Sequence, residues 1–400
     1  MLNSLLISGL TASALAHAFL FIMLPSLGRE LGLSDIEAGA VLSVAAFLQM
    51  LVTPVWGHMS ERWGRRPVLL LGFATAAVFP AVFAGIVWLR AADLMGPALF
   101  FYALLAARAG QALLGGGTMP AAQALIADVT NTAGRAGGMG MLGASFGLGT
   151  ILAGALTWRL GGQHPVLTML LIASLAFAAL LATVWKLPET RPVDRPADVV
   201  RDGKAGDVLK RIWPCLLVTL LGLSVYSLLQ QVTALRLQDA FGLTQEASLA
   251  RAGMTMMLTM AAMVVTQGLV VRKLRWLPAR LLVAGAGVAL LGIAAATLAD
   301  TIAWFVAATV VLGIGLGLML PGNLASLSFR AGPAHQGRAA GFNGLVQGLA
   351  LGIGPMAGAT LHQLSATAPY LFATALIVAA LLVVLLRLAT ARNAAGTFAE

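Results

Sequence analysis

The sequence predicts an all-α membrane protein with 12 transmembrane helices, arranged as two pseudo-symmetric six-helix bundles. Three observations support this fold class: an apolar composition, long apolar runs and an internal repeat. The 400 residues are 59% hydrophobic and only 10% charged, whereas a soluble domain carries about 25% charged residues. A helix that crosses a bilayer needs about 20 apolar residues, and such runs recur along this chain instead of the short alternating segments of a β-barrel.

Twelve apolar runs are separated by clusters of proline, glycine and charge, which mark helix ends. The first run has no basic n-region and no clear cleavage site, so we expect a retained span rather than a signal peptide. The fourth run is long and rich in glycine. The predicted spans are 3–24, 37–57, 67–89, 98–126, 138–158, 165–186, 212–237, 249–271, 280–299, 302–328, 339–362 and 369–388.

The distribution of basic residues predicts which loops face the cytoplasm. Of the 25 Lys and Arg residues, 19 lie in the connections that follow even-numbered spans or in the C-terminal tail. The positive-inside rule therefore places both termini in the cytoplasm and the protein in a bacterial-type cytoplasmic (inner) membrane. Contact between these loops and anionic lipid explains the net charge of +10, so no nucleic-acid partner is expected.

Two pairs of matched segments indicate the internal repeat. Gly57–Pro67 joins the second and third spans, and Gly268–Pro278 joins the eighth and ninth with the same ten-residue step. Pro120 of the fourth span precedes Gly134-Arg135-Ala136, just as Pro321 of the tenth span precedes Gly337-Arg338-Ala339, and the two spacings differ by only two residues. Parallel repeats imply a pseudo-two-fold axis along the membrane normal, a cavity between the halves and alternating access. The predicted domains are 1–187 and 212–390, with a cytoplasmic linker at 188–211 and a cytoplasmic tail at 391–400.

The loop between the second and third spans carries a charged motif, Gly-His-Met-Ser-Glu-Arg-Trp-Gly-Arg-Arg. It resembles the G-x-x-x-D-R-x-G-R-R signature of the major facilitator superfamily, with Glu61 in place of the usual aspartate. The resemblance implies a charge network that latches the outward-facing state; the alternative is a basic loop that only sets topology. The network would comprise Gly57, Glu61, Arg62, Gly64, Arg65, Arg66 and, at the end of the fourth span, Asp128.

A second motif lies within the fourth span. Arg108-Ala109-Gly110-Gln111 resembles the R-x-x-Q-G element of the 12-span drug:proton antiporters (the multidrug efflux family), with Ala112 in place of the final glycine. A charge inside a span is costly, so it usually faces the protein interior or a wet cavity. The resemblance implies a role for Arg108 in proton coupling, and a structural arginine bonded to backbone carbonyls is the alternative.

Glycines at short spacing in the fifth and eleventh spans predict close helix packing. The antiporters resembled here carry a Gly-Pro-rich motif in the fifth span, whereas this chain has glycine without proline there and a Gly-Pro sequence in the eleventh span. The missing proline weakens the assignment to the antiporter subgroup and leaves the fold prediction unchanged. The predicted packing residues are Gly147, Gly149, Gly352, Gly354 and Pro355.

The spans contain no central Asp or Glu, so the titratable candidate at mid-span is His17. Histidine has an ordinary pKa of about 6.5, and His17 is predicted either to carry the proton, to donate to substrate, or to be a packing residue. Polar residues that interrupt apolar spans line a cavity or bridge helices. Phe21 is added to these polar residues as part of an apolar cavity wall. The cavity candidates are Phe21, Gln111, Tyr226, Gln230, Gln231, Asn323 and Gln347.

These features predict a secondary active transporter that takes a small-molecule substrate and protons and works as a monomer in the lipid bilayer. The leading hypothesis is a proton-coupled exporter of drugs or anionic, zwitterionic or neutral amphiphiles; a facilitator or importer of small organic solutes is the alternative. An enzyme is not expected, because the only G-x-S-x-G pattern, at 143–147, lies inside a span and no P-loop is present. A single cysteine and isolated histidines predict no metal site, and no cofactor is expected.

Overall fold

The computed structural model describes residues 2–129, 132–186, 205–274, 276–332 and 335–396, which form helices joined by short turns and contain no strand. Twelve stretches of these residues are long and apolar enough to cross a bilayer, which confirms the predicted all-α fold with 12 spans. The helices are α1 (Leu2–Glu30), α2 (Asp35–Trp63), α3 (Arg65–Ala91), α4 (Pro97–Gly115), α5 (Thr118–Val129), α6 (Thr132–Leu156), α7 (Pro165–Lys186), α8 (Ala205–Asp239), α9 (Gln245–Val265), α10 (Val271–Leu274), α11 (Pro278–Thr297), α12 (Ile302–Ala331), α13 (Gln336–His362) and α14 (Ala368–Gly396).

The fourth span is interrupted where the sequence is richest in glycine. It consists of α4 and α5, separated by Gly116 and Gly117. A Cβ on Gly116 would lie 2.8 Å from Val52 Cγ2, and one on Gly117 would lie 3.0 Å from Trp56 Cβ. Because both glycines lack that atom, side chains of α2 pack directly against the backbone at the break.

One further helix end differs from the predicted span, because π-helical turns at Thr157–Gly161 extend α6 past residue 158. α9 is extended in the same way through Thr266–Val270, which agrees with the predicted end at 271 to within one residue. Most of the predicted linker 188–211 lies outside the described residues, but its last part, from Ala205, forms the first turns of α8. The predicted tail begins inside α14, which continues to Gly396.

The chain forms two packing units. The first contains the described residues within Met1–Val199 and Gln230–Met257. Its core is formed by apolar side chains of α1, α3, α5 and α6, including Leu6, Phe73 and Leu125.

Within the first unit, glycines bring helices into backbone contact. A Cβ on Gly149 of α6 would lie 2.5 Å from the carbonyl oxygen of Thr11 in α1. Gly154 of α6 and Gly253 of α9 face each other in the same way, since a Cβ on Gly154 would lie 2.7 Å from the Gly253 carbonyl oxygen. Such small-residue contacts replace the hydrophobic driving force that helices lack in lipid.

The second unit contains the described residues within Val200–Leu229 and Leu258–Glu400. Here α11 packs against α12, and a Cβ on Gly292 would overlap the backbone nitrogen of Leu312. Gly354 of α13 likewise lies against α8, because its Cβ would lie 2.7 Å from the backbone nitrogen of Leu228. Asn323 donates to the carbonyl oxygen of Cys215, at 2.8 Å, and so ties α12 to α8.

The turn between α2 and α3 depends on one residue with a left-handed backbone. Gly64 has φ +96° and ψ 165°, and it both ends α2 and precedes α3. A residue with a Cβ is strained in this region. The predicted glycine of the signature loop is therefore required by backbone conformation.

The α11–α12 contact yields a stability prediction. Gly292→Ala is expected to lower the thermal unfolding midpoint of the purified protein, because overlap with the Leu312 backbone costs about 1–3 kcal/mol. Gly287, on the same helix, has no atom within 4 Å of its would-be Cβ. The matched change Gly287→Ala should leave the midpoint unchanged or raise it, since alanine favours a helix by about 0.5–1 kcal/mol. Equal midpoints for the two variants would contradict this account of the contact.

Candidate functional site

The first unit buries a polar cluster built from α1 and α4. Arg108 of α4 is only 2% exposed. Its Nη2 lies 3.1 Å from Nδ1 of His17 on α1. Its Nη1 donates to Oε1 of Gln111, one helical turn further along α4. Two residues predicted for proton coupling and one predicted for the cavity therefore lie in direct contact.

Helical spacing and an aromatic ring complete the cluster. Arg108 and Gln111 are three residues apart, and His17 and Phe21 are four apart, so each pair shares one helix face. The Phe21 ring stacks on the His17 ring with centroids 4.9 Å apart. The Arg108 guanidinium carbon lies 5.5 Å from the Phe21 centroid, where a ring face attracts a cation.

The chemistry of arginine fixes the form of His17. A guanidinium has only donors, so the hydrogen bond to Nδ1 requires an unprotonated Nδ1 that accepts it. The neutral imidazole then carries its hydrogen on Nε2. A proton that binds to His17 must use the same Nδ1 lone pair that Arg108 occupies.

No carboxylate of the described chain neutralises Arg108. The ion pairs found among the described residues join Arg29 to Asp35 and Asp239, Arg65 to Asp128, and Arg90 to Asp93. The Nε of Arg108 is buried and has no hydrogen-bond partner among the described atoms. The cluster is thus a cation with an unused donor, enclosed by neutral side chains.

The signature loop contributes one buried ion pair. Arg65 Nε lies 3.1 Å from Asp128 Oδ2, with the two side chains 10% and 9% exposed. Arg65 also donates to Ser60 Oγ at 3.2 Å, and Arg66 donates to the carbonyl oxygen of Val184 at 2.8 Å.

The rest of the predicted charge network is not brought together. Glu61 and Arg62 are exposed, and neither forms an ion pair with any described residue. A Cβ on Gly57 would meet no atom within 4 Å, so packing does not require glycine there. The structural contacts of the loop therefore come from Gly64, Arg65 with Asp128, and Arg66 with the Val184 carbonyl.

The other predicted cavity residues differ in their surroundings. Gln230 and Gln231 are buried in the first unit, and the Gln231 amide has no hydrogen-bond partner among the described atoms. In the second unit, Tyr226 is partly buried and Gln347 is exposed. Asn323 is buried and bonded to α8, an arrangement that bridges helices.

The predicted packing residues are all buried: Gly147 and Gly149 in α6, and Gly352, Gly354 and Pro355 in α13. Gly149 and Gly354 make the close backbone contacts with α1 and α8 described above. Pro355 lies inside α13 and cannot donate to the helical ladder.

A second charged cluster, which the sequence did not predict, lies in the first unit at the end of α1. Arg29 holds Asp35 through Nε at 3.0 Å and Nη2 at 2.7 Å, and its Nη1 lies 2.8 Å from Asp239 of α8. Gln238 donates to Ser26 Oγ at 2.7 Å beside this pair. The contact between Arg29 and Asp35 could have been predicted, because the two residues flank a short turn. The contact with Asp239 could not, because 210 residues separate it from Arg29 in sequence.

A family model described as Major Facilitator Superfamily matches residues 6–355, and it matches again over 275–398. This chain belongs to the Major Facilitator Superfamily. The family predicted from the signature loop is confirmed. Members of this superfamily are multi-pass membrane transporters rather than enzymes.

Similar proteins include two bacterial resistance proteins. The tetracycline resistance protein, class G, of Vibrio anguillarum is 36% identical over 193 residues, which cover 47% of this chain and 44% of the relative. The multidrug resistance protein 1 of Bacillus subtilis (strain 168) is 25% identical over 387 residues, which cover 93% of this chain and 92% of the relative. The chain therefore spans less than half the length of the tetracycline resistance protein. It spans nearly the whole length of the multidrug resistance protein.

Solved structures show the same fold. The human organic anion transporter MFSD10 (TETRAN) superposes with a TM-score of 0.69 at 22% identity, covering 96% of this chain and 98% of that one. A bacterial homologue of the human lysosomal transporter Spinster, in an inward-facing and occupied conformation, gives a TM-score of 0.69 at 16% identity, covering 96% and 95% of the two chains.

The buried ion pair of this major facilitator yields a second stability prediction. Arg65→Gln removes the buried cation that lies 3.1 Å from Asp128, so the free energy of unfolding should fall by about 3 kcal/mol. The matched control Arg62→Gln alters an exposed residue of the same loop and should change stability by less than about 0.5 kcal/mol. Thermal or denaturant unfolding of the purified variants measures both. Equal losses from the two changes would show that the pair with Asp128 does not stabilise the loop.

Proposed function

We propose that this major facilitator is a proton-coupled exporter of drugs or other amphiphilic small molecules, whether anionic, zwitterionic or neutral, and that it works by alternating access. The observation that carries the proposal is the hydrogen bond from Arg108 to Nδ1 of His17 inside a buried cluster. The names of two relatives, a tetracycline resistance protein and a multidrug resistance protein, support export of drugs.

Competition for one lone pair couples the site to protons. Arg108 donates to Nδ1 in the neutral form of His17, and a proton on Nδ1 ends that bond. A substrate group that donates to Nδ1 uses the same lone pair and therefore excludes the proton. Exchange of substrate for protons requires this exclusion, because a carrier that bound both at once would move them in the same direction.

His17 is the residue we assign to proton binding because of what surrounds it. Arg108 is the charged group that contacts it. The helices packed on α1 carry their described charged side chains near their ends, such as Arg65 and Arg90 in α3, and the part of α6 at 141–156 carries none. We therefore assign proton binding in the middle of the span to His17.

Alternating access requires contacts that close one side of the membrane while the other opens. The two ion-pair clusters of the first unit supply such contacts. Arg65 with Asp128 lies at the end we assign to the cytoplasm, and Arg29 with Asp35 and Asp239 lies at the opposite end. Each cluster joins helices that are distant in sequence, so its breaking would free those helices to move.

The orientation follows from the basic loops. We assign both termini to the cytoplasm and the protein to a bacterial-type cytoplasmic membrane, because 19 of 25 basic residues lie on that side of the predicted topology. The protein is proposed to act as a monomer, since one chain supplies the whole Arg108 cluster.

A facilitator or importer of small organic solutes is the alternative function. The absence of a carboxylate beside Arg108 in the described chain favours it, because a carboxylate is a common exchange site for protons. An imposed pH gradient separates the two functions: it drives accumulation by the exporter and leaves facilitated equilibration unchanged.

The proton-binding role of His17 is testable in proteoliposomes. His17→Gln keeps an acceptor for Arg108 but cannot titrate, so pH-gradient-driven drug accumulation should be lost while substrate exchange without a gradient persists. The measurement is uptake of a fluorescent amphiphile into inverted vesicles with and without an acid interior. His58→Gln, which changes an exposed histidine of α2, is the matched control and should retain wild-type accumulation. Full gradient-driven accumulation by His17→Gln would contradict the assignment.

A further inference from the structure

The hydrogen-bond inventory of the Arg108 cluster specifies what a ligand must offer. Arg108 uses one N–H for His17 and another for Gln111, and its Nε–H has no partner among the described atoms. His17 Nδ1 accepts from Arg108, and no other described residue donates to it. A group that enters between the two side chains therefore meets donors on one side and an acceptor on the other.

A ligand that separates Arg108 from His17 must replace both ends of the broken bond. The Arg108 side requires an acceptor oxygen, and the His17 side requires a donated hydrogen while the imidazole is neutral. An amide, a protonated acid or a hydroxyl beside a carbonyl offers both groups. An ester or a carboxylate offers only the acceptor and leaves Nδ1 buried without a partner, which is costly.

The aromatic ring of the cluster adds a flat apolar surface. Phe21 is 1% exposed, stacks on His17 at 4.9 Å and lies 5.5 Å from the Arg108 guanidinium carbon. A planar head group conjugated to a ring would lie parallel to this stack, because aromatic faces prefer offset stacking. The neighbouring residues of α1, from Ala18 to Leu24, are buried and apolar.

We propose that the substrate of this site carries a planar, uncharged head in which a carbonyl oxygen faces Arg108 and an adjacent N–H or O–H faces Nδ1 of His17. The inference rests on the proposed export function and narrows its substrate class from all amphiphiles to this head group. A carboxylate has no hydrogen to donate to neutral His17, so it bonds only to Arg108 in that form and does not compete with the proton.

The head group sets the sign of the pH dependence. A proton on Nδ1 removes the acceptor that an amide needs, so amide affinity falls as the pH is lowered. For a carboxylate the opposite holds, because protonated His17 becomes a second donor to it. Arg108 is the charged side chain in contact with His17. The helices packed on α1 carry their other described charged groups near their ends, such as Asp35 and Arg62 of α2, Arg65 and Arg90 of α3, and Arg159 after α6, so none of these groups reverses the sign.

Three probes that share one ring test the proposal: 1-naphthamide, methyl 1-naphthoate and 1-naphthoate. Binding to the purified full-length chain is measured by calorimetry from about pH 8 down to the lowest pH at which the chain remains folded. At the upper pH the amide should bind about tenfold more tightly than the ester, since the ester leaves Nδ1 unpaired. Amide affinity should fall with acid, and naphthoate affinity should rise.

The variant His17→Gln separates the head-group preference from its pH dependence. Glutamine retains an acceptor, so the amide should still bind more tightly than the ester, but neither the amide nor naphthoate should show a pH slope. Arg108→Gln should weaken naphthoate most, because it removes the cation. Unfolding midpoints of both variants show whether the proteins are folded.

The inference is overturned by equal affinities for amide and ester, by one common pH slope for all three probes, or by no amide binding to the folded wild-type chain. These outcomes are distinct from failure of the proposed function. Gradient-driven export that depends on His17, together with equal amide and ester affinities, refutes the head group alone. Amide preference without any gradient-driven export refutes the function alone.

Discussion

A guanidinium at membrane depth must find its hydrogen-bond acceptors within the protein, because lipid supplies none. Arg108 meets this constraint with His17, Gln111 and the face of Phe21 rather than with a carboxylate. Two of these three partners belong to α1, so the position of α1 relative to α4 decides whether the charge is accommodated. The remainder of the first unit can be understood as the scaffold that fixes that position.

Glycine-mediated contacts hold α1 in place. Gly149 lets the α6 backbone approach the Thr11 carbonyl, and Thr11 donates to the carbonyl oxygen of Ser145 at 3.3 Å. The apolar core shared with α3 and α5 supports the same helix from another side. At its far end, Arg29 fixes α1 to Asp35 and to Asp239 of α8. The helix is therefore held at its centre and at one end, and it runs from His17 to the Arg29 cluster with Pro25 between them.

Apolar run length and charge placement were sufficient to predict the fold. Local composition determines where a transmembrane span lies, which is why all 12 spans were predicted. The break at Gly116–Gly117 depends instead on packing against Val52 and Trp56 of another helix. Burial of Arg108 was predictable from the cost of a charge in lipid. Its bond to His17 was not, because 91 residues separate the two and only the tertiary fold sets their distance. For the same reason the resemblance suggested a network with Glu61 and Arg62, but the backbone directs both into exposed positions and leaves the pair of Arg65 with Asp128.

The central claim, that Arg108 donates to an unprotonated Nδ1 of His17, is tested most directly by ¹⁵N nuclear magnetic resonance of histidine-labelled protein. The chain has 5 histidines, and the His17 signals are assigned by their loss in His17→Gln. Near neutral pH the account predicts a neutral imidazole with its hydrogen on Nε2 and an accepting Nδ1, and Arg108→Gln should shift the Nδ1 resonance. A hydrogen on Nδ1, or a His17 spectrum that is unchanged by Arg108→Gln, would contradict it.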